Sequence, residues 1–88
     1  MKEIIRQLIK DVDPAEFREI QAKINAFPTV KSSTSNNDNY FLALLIKKFR
    51  PTSILEIGTY VGKSAYSMAI ACESNGLTYT IDTIDDPA

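Results

Sequence analysis

The chain has 88 residues, of which 44% are hydrophobic; domains usually take roughly 100–200 residues, so it is one small domain or part of a larger one. Ten Lys plus Arg against eleven Asp plus Glu leave a net charge of −1, which argues against strong attraction to nucleic acid or to an anionic membrane. One cysteine excludes an internal disulfide, and the absence of histidine excludes a Cys/His zinc site and a histidine general base supplied by this chain.

Two amphipathic helices are predicted in residues 1–30, which we treat as an N-terminal helical region preceding a loop, a helix and a strand–helix–strand unit in residues 31–88. Asp13 is expected to cap the second helix, with Pro14 in the first helical position and Glu16 bonding back to the cap. Pro28 is expected to end it. Apolar residues recur at helical spacing, and we interpret both stripes as packing faces: Ile4, Ile5, Leu8, Ile9 and Val12, then Phe17, Ile20, Ile24 and Phe27.

The N-terminal segment lacks the apolar core and the cleavage site of a signal peptide. No apolar run approaches the roughly 20 residues of a membrane span. The sequence therefore predicts a soluble, cytoplasmic protein that binds neither membrane nor nucleic acid.

A polar loop over residues 31–39 and a buried helix over residues 40–49 are predicted next, with Asp38 or Asn39 as the helix cap. The helix is apolar nearly all round, so it should be buried on more than one side, and the cations near its end suit the helix dipole: Lys47, Lys48 and Arg50. Pro51 closes the helix.

A strand, a helix and a second strand complete the predicted order. Residues 52–57 predict a short strand, in which Ile54, Leu55 and Ile57 form a nearly continuous apolar run that is typical of a parallel strand covered on both faces. Residues 63–74 predict a helix that stops at Asn75-Gly76, and residues 77–81 predict the second strand. A crossover of this length implies parallel strands and right-handed winding. Because two strands do not make a stable sheet, we predict an α/β fold that is the opening, incomplete part of a doubly wound domain, or one whose sheet a partner chain completes.

The turn between the first strand and its helix carries the chemistry. Gly58 lets the chain leave the strand sharply, and Gly62 keeps the backbone close to ligand and helix. The N-terminus of the next helix favours an anionic group. Asp82, expected to end the second strand, lies 82 − 62 = 20 residues after Gly62, close to the roughly 20 expected for an acid that binds ribose hydroxyls.

Two nucleotide-binding patterns are excluded by this turn. A phosphate loop needs four residues between its first glycine and the Gly-Lys pair, whereas only three separate Gly58 from Gly62-Lys63. A dinucleotide motif needs a second glycine where Tyr60 stands, so a nicotinamide-dependent enzyme is disfavoured. A bulky residue there suits a cofactor without a pyrophosphate.

The run from Leu55 to Ser64 resembles the first motif of class I S-adenosylmethionine-dependent methyltransferases. It is most similar to the small-molecule O-methyltransferases related to catechol and caffeoyl-CoA O-methyltransferase, whose motif has the form L-E-(I/L)-G-x-(Y/F)-x-G-x-S. The second strand, which arrives at Asp82, and the helix that leads into the first strand are also similar. The resemblance covers about residues 32–85.

The resemblance implies a role for each matched position. Glu56 and Gly58 would lie at the methionine end of S-adenosylmethionine. Tyr60 would line one side of the cofactor, and Gly62 would let the backbone come close to it. Ser64 would bond the methionine carboxylate, and Asp82 would hold the ribose hydroxyls. The loop over residues 32–39 would close over the methionine end. Taken singly, Glu56, Ser64 and Asp82 also fit a turn, a helix cap and a solvated strand end.

We therefore predict the cofactor-binding part of a methyltransferase that methylates oxygen in a small molecule and releases S-adenosylhomocysteine. Catalytic residues are unknown, and any divalent metal of the full-length protein would find its ligands elsewhere; Asp85 and Asp86 are interpreted as a solvated acidic end. Cys72 is expected to be a buried, inert thiol. The alternative is a non-catalytic cofactor-binding or assembly module completed by a partner chain. Under this alternative, residues 1–27 would mediate pairing into a homo-oligomer.

Overall fold

The protein is described by a computed structural model that covers residues 2–28, 35–57 and 62–84. The predicted order of three helices and then strand, helix and strand is confirmed: α1 Lys2–Lys10, α2 Pro14–Ala26, α3 Asn36–Phe49, β1 Ser53–Ile57, α4 Lys63–Asn75 and β2 Thr80–Ile84. Within these ranges no helix has the length and apolar character needed to cross a membrane.

The start of α2 follows the predicted capping chemistry in part. The Asp13 carboxylate accepts a hydrogen bond from the Ala15 backbone N–H at 2.9 Å, and Pro14 occupies the first helical position. The prediction for Glu16 was wrong, because its carboxylate does not return to the cap. It accepts hydrogen bonds from Lys47 Nζ at 2.5 Å and from the Ser74 hydroxyl. The Lys47 ammonium on α3 is a charged donor, so its hydrogen bond to the carboxylate is stronger than one from the backbone N–H of the cap.

Glu16 is expected to make the fold sensitive to acid. The hydrogen bond from Lys47 and then that from Ser74 lower the pKa of Glu16 below its ordinary value of 4.5. A carboxylate with a lowered folded-state pKa adds stability above its unfolded pKa and loses that contribution as the pH falls through the folded pKa. Urea unfolding should therefore show a free energy that drops below about pH 4.5, with a smaller drop in Glu16→Gln. The exposed control Glu3→Gln should keep the wild-type slope, and an unchanged slope in Glu16→Gln would contradict the expectation.

The third helix begins four residues earlier than predicted. Ser35 is its N-cap, and the Ser35 hydroxyl accepts a hydrogen bond from the Asp38 backbone N–H at 3.2 Å. Asp38 and Asn39 therefore lie inside α3 and do not cap it, and Asn39 is fully buried. Asparagine is a poor helix former, which is why its clustering suggested a loop, but burial and a serine cap outweigh that preference.

Polar contacts at the helix ends fix the directions of the three packed helices. At one end the Asn75 side chain donates to the Ile46 carbonyl at 3.0 Å, so α3 and α4 have their C-termini together. At the other end Asn25 of α2 accepts hydrogen bonds from Asn36 and Tyr40 of α3. Helix α2 therefore runs antiparallel to α3 and α4, and the N-termini of α3 and α4 lie at the same end.

The buried residues form two clusters on either side of α3. One joins α2, α3 and α4, and the other joins α1, the start of α2 and α3. The prediction that α3 is buried on more than one side is confirmed. The α2 stripe is buried at Phe17, Ile20 and Ile24, and its fourth member, Phe27, follows the helix and is half-buried. On α1 the stripe is only partly buried, since Ile4 is 51% exposed and Ile9 37% exposed. Among the described residues, the apolar side chains with no exposed surface are Ile24, Ala43, Leu44 and Ala71.

The two strands are parallel, as predicted, and Ser53 pairs with Thr80 and Ile57 with Ile84. The predicted bounds of the second strand were wrong by three residues, because β2 begins at Thr80 and not at residue 77. After the left-handed C-cap at Gly76 the chain must first cross back to the sheet. Pairing starts where a partner is available, with the Thr80 N–H donating to the Thr52 carbonyl at 2.9 Å. Strand formation depends on such pairing more than on intrinsic preference.

The sheet is covered on one face only in the described part of the chain. Ile54 and Ile81 pack against the helical core. On the opposite face Leu55 is 62% exposed, Ile57 74% and Ile84 51%. The expectation of a strand covered on both faces is thus not met, because the described residues place helices on one side alone.

Candidate functional site

The carboxyl end of β1 meets the start of α4 in a direct contact between two of the predicted site residues. Glu56 is the penultimate residue of β1, and Ser64 is the second residue of α4. The Ser64 hydroxyl donates a hydrogen bond to Glu56 Oε2 at 2.5 Å, and both side chains are partly buried. The arrangement fixes a carboxylate beside a helix N-terminus, at the edge of the sheet where α/β proteins bind ligands.

Gly62 is the N-cap of α4 and needs to be glycine for a backbone reason. Its φ of 76° lies in the left-handed region, where a residue with a Cβ is strained. Having no side chain, it makes no side-chain cap, and the first turn of α4 contains no acidic residue. The first N–H groups of a helix lack intrahelical partners, and together with the helix dipole they favour an anion.

Asp82 lies apart from this pair. The prediction that it ends the second strand was wrong, because it is the third of five residues in β2 and is paired with Leu55. Glu56 is paired with Thr83, the next position along β2. Since side chains alternate across a sheet, Asp82 is on the opposite face from Glu56, and it is exposed.

The remaining predicted site residues, Gly58 and Tyr60, lie outside the described residues. The same holds for residues 32–34 of the predicted closing loop and for Asp85 and Asp86. The structure therefore brings together Glu56, Gly62 and Ser64, out of six predicted residues.

Lys63, next to Gly62 and Ser64, was weighed in the sequence only as part of a phosphate loop, and its burial was not expected. It is the first residue of α4 and is 1% exposed. Its carbonyl accepts a hydrogen bond from the buried Ser67 hydroxyl at 2.7 Å. The available signal was its position, since cations are disfavoured at a helix N-terminus and occur there for a specific reason.

An aromatic pair at the same end of the helices was also missed. The rings of Phe27 and Tyr66 stack with centroids 4.8 Å apart and an interplanar angle of 26°. Phe27 follows α2, and Tyr66 lies in the first turn of α4. No periodic pattern links the two positions, so only tertiary structure could reveal the pair.

Cys72 is buried, as predicted, in the interior of α4. Burial and then the neighbouring charge of Glu73 raise the pKa of the thiol, so the reactive thiolate is disfavoured. Among the described residues no group of three His, Cys, Asp or Glu side chains is arranged to hold a metal ion.

The geometry suits a ligand group that carries both signs of charge. The Glu56 carboxylate attracts a cation, and the adjacent N-terminus of α4 attracts an anion. Because Ser64 donates its hydroxyl proton to Glu56, an anion here would be bound by backbone N–H groups. The free amino-acid end of a larger molecule has this combination of charges.

A family model described as O-methyltransferase matches residues 9–87, which is almost the whole chain. The match includes every predicted site residue and the whole strand–helix–strand unit. No curated protein and no solved structure matches the chain.

Proposed function

The chain belongs to the O-methyltransferase family, and on that premise we propose that it is the part of a methyltransferase that binds S-adenosylmethionine. The acceptor would be an oxygen of a small molecule, and S-adenosylhomocysteine would be the product. The chain would form the opening part of a doubly wound, Rossmann-like domain, of which β1, α4 and β2 are the first crossover unit.

The contact between Glu56 and Ser64 at the start of α4 is the observation that carries this proposal. S-adenosylmethionine has an amino-acid end with an ammonium and a carboxylate. The ammonium would face the Glu56 carboxylate, and the carboxylate would face the N-terminus of α4 beyond Gly62. Ser64 would act by orienting Glu56 and through its own backbone N–H.

When bound, the cofactor would supply a methyl group on a sulfonium: the O–CH₃ bond would form as the S–CH₃ bond breaks, the sulfur would keep the electron pair as a thioether, and the hydroxyl proton would pass to a base. The resemblance to the metal-dependent members of this family implies that the base and the ligands of any divalent metal would lie beyond these residues. The described residues would contribute by holding the cofactor in a reactive orientation.

Methyl transfer is the experiment that tests the function. We expect the 88-residue chain to retain S-adenosylmethionine labelled in its methyl group during equilibrium dialysis. We also expect no labelled product with catechol and Mg²⁺, because the family resemblance implies that the acceptor contacts and the base lie beyond these residues. Retention with no transfer supports the proposal, failure to retain the label contradicts it, and robust transfer refutes the expectation that the chain alone is inactive.

The ribose role of Asp82 stays a prediction with its own test. If Asp82 holds both ribose hydroxyls, Asp82→Ala should weaken the affinity for S-adenosylhomocysteine by about tenfold or more, since hydrogen bonds to a charged group contribute about 1.5–3 kcal/mol. Calorimetric titration measures the affinity, with Asp11→Ala, a second exposed aspartate outside the sheet, as control. Unchanged affinity would remove the assignment and would agree with the position of Asp82 on the face opposite Glu56.

A second candidate function is an assembly module whose sheet another chain completes. The uncovered apolar face, with Leu55, Ile57 and Ile84, favours it. Light scattering with and without S-adenosylhomocysteine separates the two proposals. A stable oligomer indifferent to the cofactor would favour the assembly module, and a chain that binds cofactor without changing its size would favour the methyltransferase part.

A further inference from the structure

The first turn of α4, which carries the backbone N–H groups of the candidate site, has no side-chain cap. In α2 and α3 a side chain accepts from the first turn, namely Asp13 and Ser35, whereas the N-cap of α4 is Gly62. A helix end without such a cap is less stable and frays more readily. N–H groups that must first be ordered contribute less to affinity than groups already ordered. The order of this turn therefore depends on contacts with neighbouring elements.

Two side chains of this turn make such contacts, on opposite sides of α4. Ser64 donates its hydroxyl hydrogen bond to Glu56 of β1. Tyr66 stacks on Phe27 at the end of α2, with ring centroids 4.8 Å apart. Successive helical residues are rotated by about 100°, so Tyr66 projects about 200° away from Ser64 around the helix axis. The turn is thus held from the sheet side through Ser64 and from the α2 side through Tyr66.

Phe27 is anchored in the core although it lies beyond the last residue of α2. Its backbone is extended, with φ −74° and ψ 136°, and its N–H donates to the Ile24 carbonyl at 3.2 Å. Ile24 is fully buried where α2, α3 and α4 meet. The Phe27 ring lies close to parallel with the Tyr66 ring, at an interplanar angle of 26°. A ring fixed in this way restricts the position of Tyr66.

Tyr66 also closes the first turn of α4 through its backbone. The Tyr66 N–H donates to the Gly62 carbonyl at 2.8 Å, which is the bond that joins the N-cap to the helix. The N–H groups that precede this bond are those that a helix leaves without intrahelical partners, and they favour an anion. One residue therefore closes the turn with its backbone and attaches the turn to α2 with its ring.

We propose that Phe27 and Tyr66 are positioning residues for the cofactor. Their stack holds the first turn of α4 in the orientation in which its N–H groups receive the carboxylate of the amino-acid end. The inference rests on the proposed function, because it takes this turn as the place where the cofactor binds. It makes the end of the N-terminal helical region part of the cofactor site, with no need for either ring to touch the cofactor.

Amide hydrogen exchange of the free 88-residue chain, followed by NMR, tests whether the stack orders the turn. In Phe27→Ala the Tyr66 amide should exchange about three- to tenfold faster than in wild type, as expected for the loss of a stacked aromatic pair. Phe27→Tyr restores a ring and should restore the wild-type rate. The amide of Cys72, further along α4, should be unaffected. Equal rates at Tyr66 in wild type and Phe27→Ala overturn the proposal, and so does equal acceleration at Cys72, because that result reports a loss of overall stability.

Calorimetric titration with S-adenosylhomocysteine tests whether the ordered turn matters for binding. Phe27→Ala should bind about three- to tenfold more weakly than wild type, and Phe27→Tyr should bind as wild type does. Leu8→Ala truncates a buried side chain of the other core cluster and controls for lost stability, so it should keep the wild-type affinity below its unfolding temperature.

The outcomes separate this inference from the function on which it rests. If wild type binds S-adenosylhomocysteine and Phe27→Ala binds it equally well, the positioning role is overturned and the proposed function stands. An equal loss of affinity in Leu8→Ala also overturns the positioning role. A wild-type chain that does not bind the compound contradicts the proposed function and this inference together.

Discussion

Replacing Glu56 by glutamine is expected to weaken binding of S-adenosylhomocysteine by about ten- to hundredfold, because a hydrogen bond to a charged group contributes about 1.5–3 kcal/mol. The glutamine keeps an oxygen that accepts the hydrogen bond from Ser64, so the contact at the start of α4 can persist. What is lost is the negative charge that would face the cofactor ammonium. Calorimetric titration of wild type and variant gives the ratio of dissociation constants.

The matched control is Glu3→Gln, which removes the same charge from an exposed position on α1. It should bind the cofactor as wild type does. Equal affinity of Glu56→Gln and wild type would contradict the role of Glu56. Weaker binding in Glu3→Gln as well would point to the overall charge of the protein and away from a specific contact.

Replacing Ile24 by alanine is expected to destabilise the fold by about 2–5 kcal/mol. Ile24 is fully buried in the cluster that joins α2, α3 and α4, so the substitution leaves a cavity where the three helices meet. For a domain of this size, each kcal/mol shifts the midpoint of thermal unfolding by about 4–8 °C. Thermal and urea unfolding should both show the loss.

Ile4→Ala is the control for this substitution, because Ile4 is 51% exposed on α1 and its removal leaves no cavity. Its free energy of unfolding should stay within about 0.5 kcal/mol of wild type. If Ile24→Ala also stayed within that range, the packing of α2 against α3 and α4 would be wrong.

The order and type of every element could be predicted from the sequence, because each rests on local chemistry. Asp13 with Pro14 marks the start of α2, and Gly76 marks the end of α4. The predictions that were wrong concern residues whose contacts are set by a partner distant in the sequence. Glu16 binds Lys47, which is 31 residues away, and β2 begins at Thr80 because Thr52 is there to accept its N–H.

Two features of the candidate site could be predicted from the sequence: the glycine at the start of α4 and the closeness of one pair of side chains. Gly62 has a positive φ, and Glu56 and Ser64, only eight positions apart in the sequence, are in contact at the end of β1 and the start of α4. Asp82 could not be placed by counting residues. The face that Asp82 occupies follows from its pairing with Leu55 and not from its distance along the sequence from Gly62. The buried Lys63 and the Phe27–Tyr66 stack carry no periodic signal.

The central claim is that the start of α4 beside Glu56 binds the amino-acid end of a nucleoside cofactor that has no pyrophosphate. Calorimetric titration of the 88-residue chain with S-adenosylhomocysteine and, separately, with NAD tests it most directly. We predict saturable one-to-one binding of S-adenosylhomocysteine and no measurable binding of NAD. Binding of NAD in preference, or of neither compound, would contradict the account.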